Sequence, residues 1–327
     1  MAIGVIGLGA HVPDEVITNA RISEWTGMGE DWIVERTGIH ERRYAAPETA
    51  TSDLAVPAAN AALDAEAGAR DRLEALIVAT VTPDVPQPAT AAILQHKLGL
   101  RAVPAFDVNA VCSGFVYSLA IGEGLLRAHY PGGRVLVVGA DKLSSVMDRS
   151  DRRTVSLFGD GAGAMLLGEV PEGYGFLGTR MITDGEHHAS VGVDAGGTAM
   201  PLDAEARAAG RHLLHMDGRR VKSWVMPTMR KLVEQVLDDC GLGIGDISRF
   251  VFHQANTRML EALAADLGIG LDRVPVTARR YGNTGGASVP FTLSESHRRS
   301  PLRRGERVLL AAAGGGLCAG ATILVWH

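Results

Sequence analysis

The sequence predicts an α/β protein built from two similar halves. Two observations carry this reading. Short apolar strands alternate with longer amphipathic stretches, the pattern of a sheet covered by helices. The order of these segments then recurs at an offset of about 170 residues, which marks a duplicated domain rather than a short-period solenoid. The 327 residues suffice for two core-sized units. The expected halves are residues 1–170 and 171–327.

In the first half, Met1 to Gly7 reads as the opening strand. Ala75 to Val81 is an unbroken apolar run, hence a buried strand; a Pro-rich loop (82–88) and a helix (89–97) follow. Val103 to Val108 is the next strand, 113–128 an apolar helix, and Arg134 to Ala140 a further strand. Gly161 to Gly168, rich in small residues, closes the half. In the second half Arg249 to His253 matches 75–81, and a helix covers 257–267. Val274-Pro275-Val276 matches the strand that starts at Val103, Arg307 to Ala311 matches 134–138, and Ala319 to Val325 matches 162–168. Residues 168–215 break the pattern and are expected to form an excursion over the site, with a mobile part.

Composition removes several function classes. With 46% hydrophobic and 21% charged residues the chain is ordinary for a globular protein, and a net charge of −5 gives no electrostatic reason to bind nucleic acid. No apolar run is long enough to span a bilayer, and the start lacks the basic region and cleavage site of a signal peptide. The three cysteines, Cys112, Cys240 and Cys318, are scattered, so neither a disulfide framework nor a zinc site is expected; reduced thiols in a cytoplasm are. The eleven histidines show no metal-ligand spacing. Gly7-Leu8-Gly9-Ala10-His11-Val12 fails as a dinucleotide loop because Val12 replaces the third glycine and Pro13 follows.

Three segments carry chemistry. Cys112 stands where an apolar strand runs into an apolar helix. His253 ends the second-half strand that matches 75–81. Asn283 lies in a Gly-rich turn that corresponds to the turn of Cys112. A pseudo-twofold brings these strand ends together at the junction of the halves, where ligand sites prefer to form. A thiol, an imidazole and a carboxamide there suit Cys-based acyl transfer. The helix starting after Cys112 is expected to favour its thiolate. Read singly, Cys112 is also compatible with a small buried hydrophobe, His253 with a satisfied core histidine, and Asn283 with a turn residue.

The motifs Trp32-Ile33-Val34-Glu35-Arg36-Thr37-Gly38-Ile39, Ala110 to Phe115, Phe158 to Ala164, His253-Gln254-Ala255-Asn256 and Gly282-Asn283-Thr284 resemble, in order and spacing and nearly end to end, the β-ketoacyl-acyl-carrier-protein synthase III family of the thiolase-like superfamily. The resemblance implies a thiolase-like duplicated αβαβα five-layered fold, a homodimer, and no tightly bound cofactor, with coenzyme A thioester as substrate and acyl carrier protein as partner. It implies that Cys112 is acylated and that His253 and Asn283 hold the enolate oxygen of a decarboxylating malonyl thioester. The backbones of Cys112 and Gly315 would form the oxyanion hole for acyl transfer. Trp32, Arg36 and Arg152 would grip the nucleotide end of coenzyme A. Arg258 would meet the carrier protein, Asn256 would support the site or cap the following helix, and Cys318 would serve packing.

Two departures stand out. Arg219 replaces an asparagine that contacts pantetheine in the family, adding positive charge near the channel mouth, and Gln87 stands where an aromatic or aliphatic residue often closes the acyl pocket. They suggest specialised metabolism as much as housekeeping synthesis. The expected activity is decarboxylative Claisen condensation with malonyl-acyl-carrier protein, priming fatty-acid or polyketide synthesis. The alternatives are acyl transfer from Cys112 to an alcohol or amine, with His253 as base, and a silent partner subunit, which an intact Cys/His/Asn set disfavours.

Overall fold

The computed structural model describes residues 1–327, and each half folds around one sheet. The first half contributes β1 (Ala2–His11), α1 (Thr51–Leu63), β2 (Leu73–Ala79), α2 (Thr90–Lys97), β3 (Ala105–Val108), α3 (Gly114–Ala128), β4 (Arg134–Asp141) and β5 (Gly161–Val170). The second contributes β6 (Gly175–Thr183), α4 (Gly218–Asp239), β7 (Arg249–Phe252), α5 (Thr257–Asp266), α6 (Ser288–Arg299), β8 (Arg307–Gly314) and β9 (Cys318–Val325). The first sheet is ordered β1-β5-β4-β2-β3 and the second β7-β8-β9-β6. In both, parallel strands adjoin an antiparallel segment: β2 pairs parallel with β3 and β4, β7 pairs parallel with β8, and β5 and β9 run antiparallel to their neighbours.

The layers follow from which faces are apolar. The inner faces of both sheets share one core with α3 and α6, where Phe115, Leu119, Val289 and Leu293 meet Ile77 and Val137 of one sheet and Val251 and Leu310 of the other. α1 and α2 cover the outer face of the first sheet, and α4 and α5 that of the second. The stacking is helix, sheet, helix, sheet, helix. With both faces covered, β2 needs no polar alternation, and Ala75 to Ala79 are fully buried. Separating the halves would expose the shared middle layer to water.

Gly7 and Gly9 lie within β1, where a Cβ would collide with the carbonyl oxygens of Ala62 and Ala58 on α1. The glycines of the rejected dinucleotide motif thus serve close strand–helix packing. No helix is long and apolar enough to cross a membrane.

The structure corrects two expectations. Val274-Pro275-Val276 forms no strand: it follows a 3-10 turn (Leu271–Arg273), and Pro275 has no N–H to give a ladder. The second sheet therefore has four strands where the first has five. The stretch 168–215 is not one excursion either, because Gly175 to Thr183 is β6, a regular edge strand paired with β9. Only the chain after it leaves the sheet. It is pinned by a backbone exchange between Asp184 and Leu317 (2.8 and 2.9 Å) and by Leu214 N–H donating to Val146 O at 2.7 Å.

Candidate active site

β3 ends in a 3-10 turn, Val111–Ser113, from which α3 departs. Val111 has φ +47°, a left-handed conformation that a β-branched residue adopts only under constraint. The constraint comes from the other half. The Ser113 hydroxyl bonds Ala312 O (3.2 Å) and Cys318 O (3.0 Å), and the end of β8 lies against the turn. A Cβ on Gly314 would sit 2.6 Å from Cys112 N, so glycine is required there. Cys112 N–H and Gly315 N–H make no hydrogen bond within the chain, and both residues line the same cavity. Cys318 is buried, with its thiol against Gly315 O (2.9 Å) and Ala110 O (3.1 Å), as a packing residue would be.

The surroundings of Cys112 act against the thiolate that the start of α3 is expected to favour. Burial, reinforced by the charge of Asp141 and by Cys318, pushes the thiol well above its ordinary pKa. No cation stands beside the sulfur to offset the desolvation.

His253 follows β7 and is fixed by its N–H donating to Ala311 O (2.8 Å) and by Nδ1 against Ser288 Oγ (2.6 Å). Burial lowers its pKa to about 4, so the ring is neutral at neutral pH. The hydroxyl partner decides what the ring can do. A carboxylate on Nδ1 would hold the proton there and leave Nε2 a base; Ser288 can donate to Nδ1 and leave Nε2–H as a donor. Ser288 is the site residue that sequence reasoning missed. Its one signal was its place at the start of the helix after the Asn283 turn.

Asn283 is buried and clamped through its backbone: its N–H donates to Leu157 O (2.8 Å), and its carbonyl accepts from Gly159 N (2.9 Å). Its Oδ1 accepts from Gly285 N (2.9 Å) and its Nδ2 has no partner in the chain. The amide is therefore oriented with a free donor. Asn256 caps α5 by accepting from Met259 N (2.9 Å) while also lining the cavity.

Cys112, His253 and Asn283 open onto one cavity of about 380 Å³ with mostly apolar walls from both halves, among them Val81, Leu143, Met226 and Leu260. Val191 and Leu214 of the excursion close part of it. Arg36 and Arg258 reach the wall; Trp32 and Arg152 do not. Exposed Trp32 instead stacks with Arg36 (5.8 Å), and Arg152 Nε is taken by Thr26 O (2.9 Å). Arg258 is tied within the chain to Glu35 O (3.0 Å) and Glu261 (3.0 Å). Gln87 is exposed and off the wall, because Asp84 anchors its loop to Ser52 of α1 and carries it outward. Arg219 is exposed and does not line the cavity, whereas Gly218 and Lys222 beside it do.

Comparison with known proteins agrees with this architecture. Residues 106–185 match the family model of 3-oxoacyl-[acyl-carrier-protein] synthase III, and residues 237–326 match the model of its C-terminal part. The chain is 44% identical over 324 residues to acetoacetyl CoA synthase NphT7 of Streptomyces sp. (strain CL190), covering 98% of each. It is 40% identical over 331 residues to β-ketoacyl-[acyl-carrier-protein] synthase III of Desulfitobacterium hafniense, covering 100% of this chain and 98% of the relative. The crystal structure of the Thermus thermophilus β-ketoacyl-[acyl-carrier-protein] synthase III superposes with a TM-score of 0.91 at 39% identity over 99% of each chain. The chain belongs to the β-ketoacyl-[acyl-carrier-protein] synthase III family of acyl-transferring enzymes.

Proposed function

We propose that the protein loads an acyl group from an acyl-CoA onto Cys112 and condenses it with a malonyl group on acyl carrier protein, priming fatty-acid or polyketide synthesis. The observation that carries this reading is a single cavity onto which the thiol, two unpaired backbone N–H groups and the free Asn283 Nδ2 all open. In loading, Cys112 Sγ attacks the thioester carbonyl, Cys112 N–H and Gly315 N–H are the donors available to its oxygen, and coenzyme A leaves as the thiol with the cysteine proton. In condensation, the malonyl carboxylate leaves as carbon dioxide and the enolate oxygen takes donors from His253 Nε2 and Asn283 Nδ2. The enolate carbon then attacks the acyl thioester, and Cys112 is released to take up a proton. The hydroxyl partner of His253 favours this over acyl transfer to an alcohol or amine, which needs a base.

A second reading, malonyl-CoA as acceptor, is supported by the internal engagement of Arg258 and by the 44% identity to an acetoacetyl CoA synthase. We further infer a cytoplasmic homodimer: β3 is an edge strand with unpaired backbone groups for a second copy. Intact-mass spectrometry tests the core proposal. Acyl-CoA should add one acyl mass to wild type and none to Cys112→Ala, and malonyl-carrier protein should then discharge the adduct as a 3-oxoacyl thioester. Discharge by malonyl-CoA alone selects the second reading; discharge only by an alcohol or amine overturns condensation.

A further inference from the structure

The strand ends β4 and β8 are equivalent in the duplication, and each presses under the catalytic turn of the opposite half. Gly314 of β8 lies against Cys112 N; its counterpart on β4 is Asp141, and there the turn over it is Gly285–Ala287, next to Asn283. The exchange of glycine for aspartate has a chemical consequence. At Cys112 the backbone N–H stays unpaired, whereas Gly286 N–H is consumed by Asp141 Oδ2 at 2.7 Å.

Asp141 is fully buried, and no cation acts on it. Its Oδ1 accepts from Thr80 Oγ1 (3.0 Å), Val81 N (2.8 Å) and Thr82 Oγ1 (3.1 Å), all beyond the end of β2. One carboxylate thus ties the first half to the Asn283 turn. The fit is close: a Cβ on Gly285 would collide with Oδ2, and the same Gly285 N–H fixes the Asn283 amide. A buried carboxylate costs free energy, and burial raises its pKa to about 6. An apolar tie would hold the halves together as well but could not seat a backbone N–H.

We propose that Asp141 is a positioning residue for the second half-reaction, holding the 285–287 turn so that the Asn283 Nδ2 faces the enolate oxygen. It touches no reacting atom. This rests on the condensation reading, so the two half-reactions are measured separately. Asp141→Ala should acylate Cys112 from acyl-CoA as fast as wild type or faster, since the carboxylate disfavours the thiolate. Its decarboxylation of malonyl thioester should fall about 10²-fold in kcat with little change in KM, the scale of an ångström-sized misplacement. Asp141→Asn keeps one carbonyl acceptor for the two backbone donors, and about a tenfold loss in the same step is expected. Equal slowing of both half-reactions, or of neither, overturns the assignment. Should Asp141→Ala not fold, the same split in Asp141→Asn decides. A wild type that acylates but never decarboxylates malonyl thioester overturns the condensation reading and this assignment with it, whereas a wild type that does so, with both variants unaffected, overturns the assignment alone.

Discussion

The helices that cover the outer faces of the two halves are built in opposite ways. In the first, α1 presents Ala55, Ala58, Ala59 and Ala62 to a sheet face carrying Leu76, Leu136, Val138 and Leu166. The helix surface is small, and backbones approach closely enough that β1 needs Gly7 and Gly9. In the second, α4 presents the large residues Val225, Met229, Val233 and Val236 to a sheet face that mixes Ala311, Ala313, Ala319 and Ala321 with Phe250, Phe252, Leu309 and Ile323. The first arrangement is closed. The second leaves the cavity open at its end, lined by Ala313, Val225 and Met229. Duplication supplied two frames, and side-chain volume made one a support and the other a binding wall.

The chemistry divides along the same line and gives the largest expected effect. Cys112→Ala should abolish both adduct and product, a loss of at least about 10³-fold. His253→Ala or Asn283→Ala should leave acylation nearly intact and lower malonyl decarboxylation about 10²- to 10³-fold. Equal damage to both steps from a second-half substitution would break the division of labour; stopped-flow acylation and carbon dioxide release measure the two steps.

Acidity offers a second way to test the comparison. The depressed pKa of His253, about 4, contributes stability that is present above its unfolded value of 6.5 and is lost as pH falls through 4. The raised pKa of Asp141, about 6, contributes stability that is present below 3.8 and is lost as pH rises through 6. Between pH 7 and 4 the two oppose each other, each worth on the order of 3 kcal/mol. Urea unfolding along this range should show His253→Asn gaining stability relative to wild type as pH falls, and Asp141→Asn losing it. Parallel profiles would show that the two buried groups are not the opposing pair described.

Ala140 and Ala313 occupy equivalent positions on β4 and β8. Ala140→Leu should destabilise by about 1–3 kcal/mol, since the closed outer layer has no room. Ala313→Leu should cost under about 1 kcal/mol and instead raise KM for acyl-CoA, because the added volume enters the cavity. Thermal melts paired with steady-state kinetics sharpen or erase the contrast. The smallest effect belongs to the mouth: Trp32→Ala should raise KM for acyl-CoA a few-fold, about 1 kcal/mol, at unchanged kcat.

Much of this was legible in the chain because it is local or repeated. The strand from Ala75, the helix from residue 113 and the paired strands at 134 and 307 follow from apolar runs, and the motifs around Cys112, His253 and Asn283 are short and contiguous. The repeat also over-predicted: it called for a strand at Val274, where proline removes a ladder donor and the second sheet ends one strand short. The surface residues singled out in the sequence lie at different distances from the cavity. Arg36 reaches the cavity, while Gln87 and Arg219 face outward, because a loop anchored at Asp84 and the first turn of α4 set their directions.

By itself, the sequence determined the duplication, the layer-forming elements and the identity of the thiol, imidazole and carboxamide, since periodicity and motif are written in consecutive residues. The tertiary structure decided the state of those groups. The Cys112 thiol is pushed up in pKa by its surroundings, His253 is uncharged beside Ser288, and Cys112 N–H is free where the matching Gly286 N–H is held by Asp141. Ionisation and donor availability depend on burial and on neighbours outside the local motif, some of them in the opposite half, and those are fixed only when the two halves close on their shared middle layer.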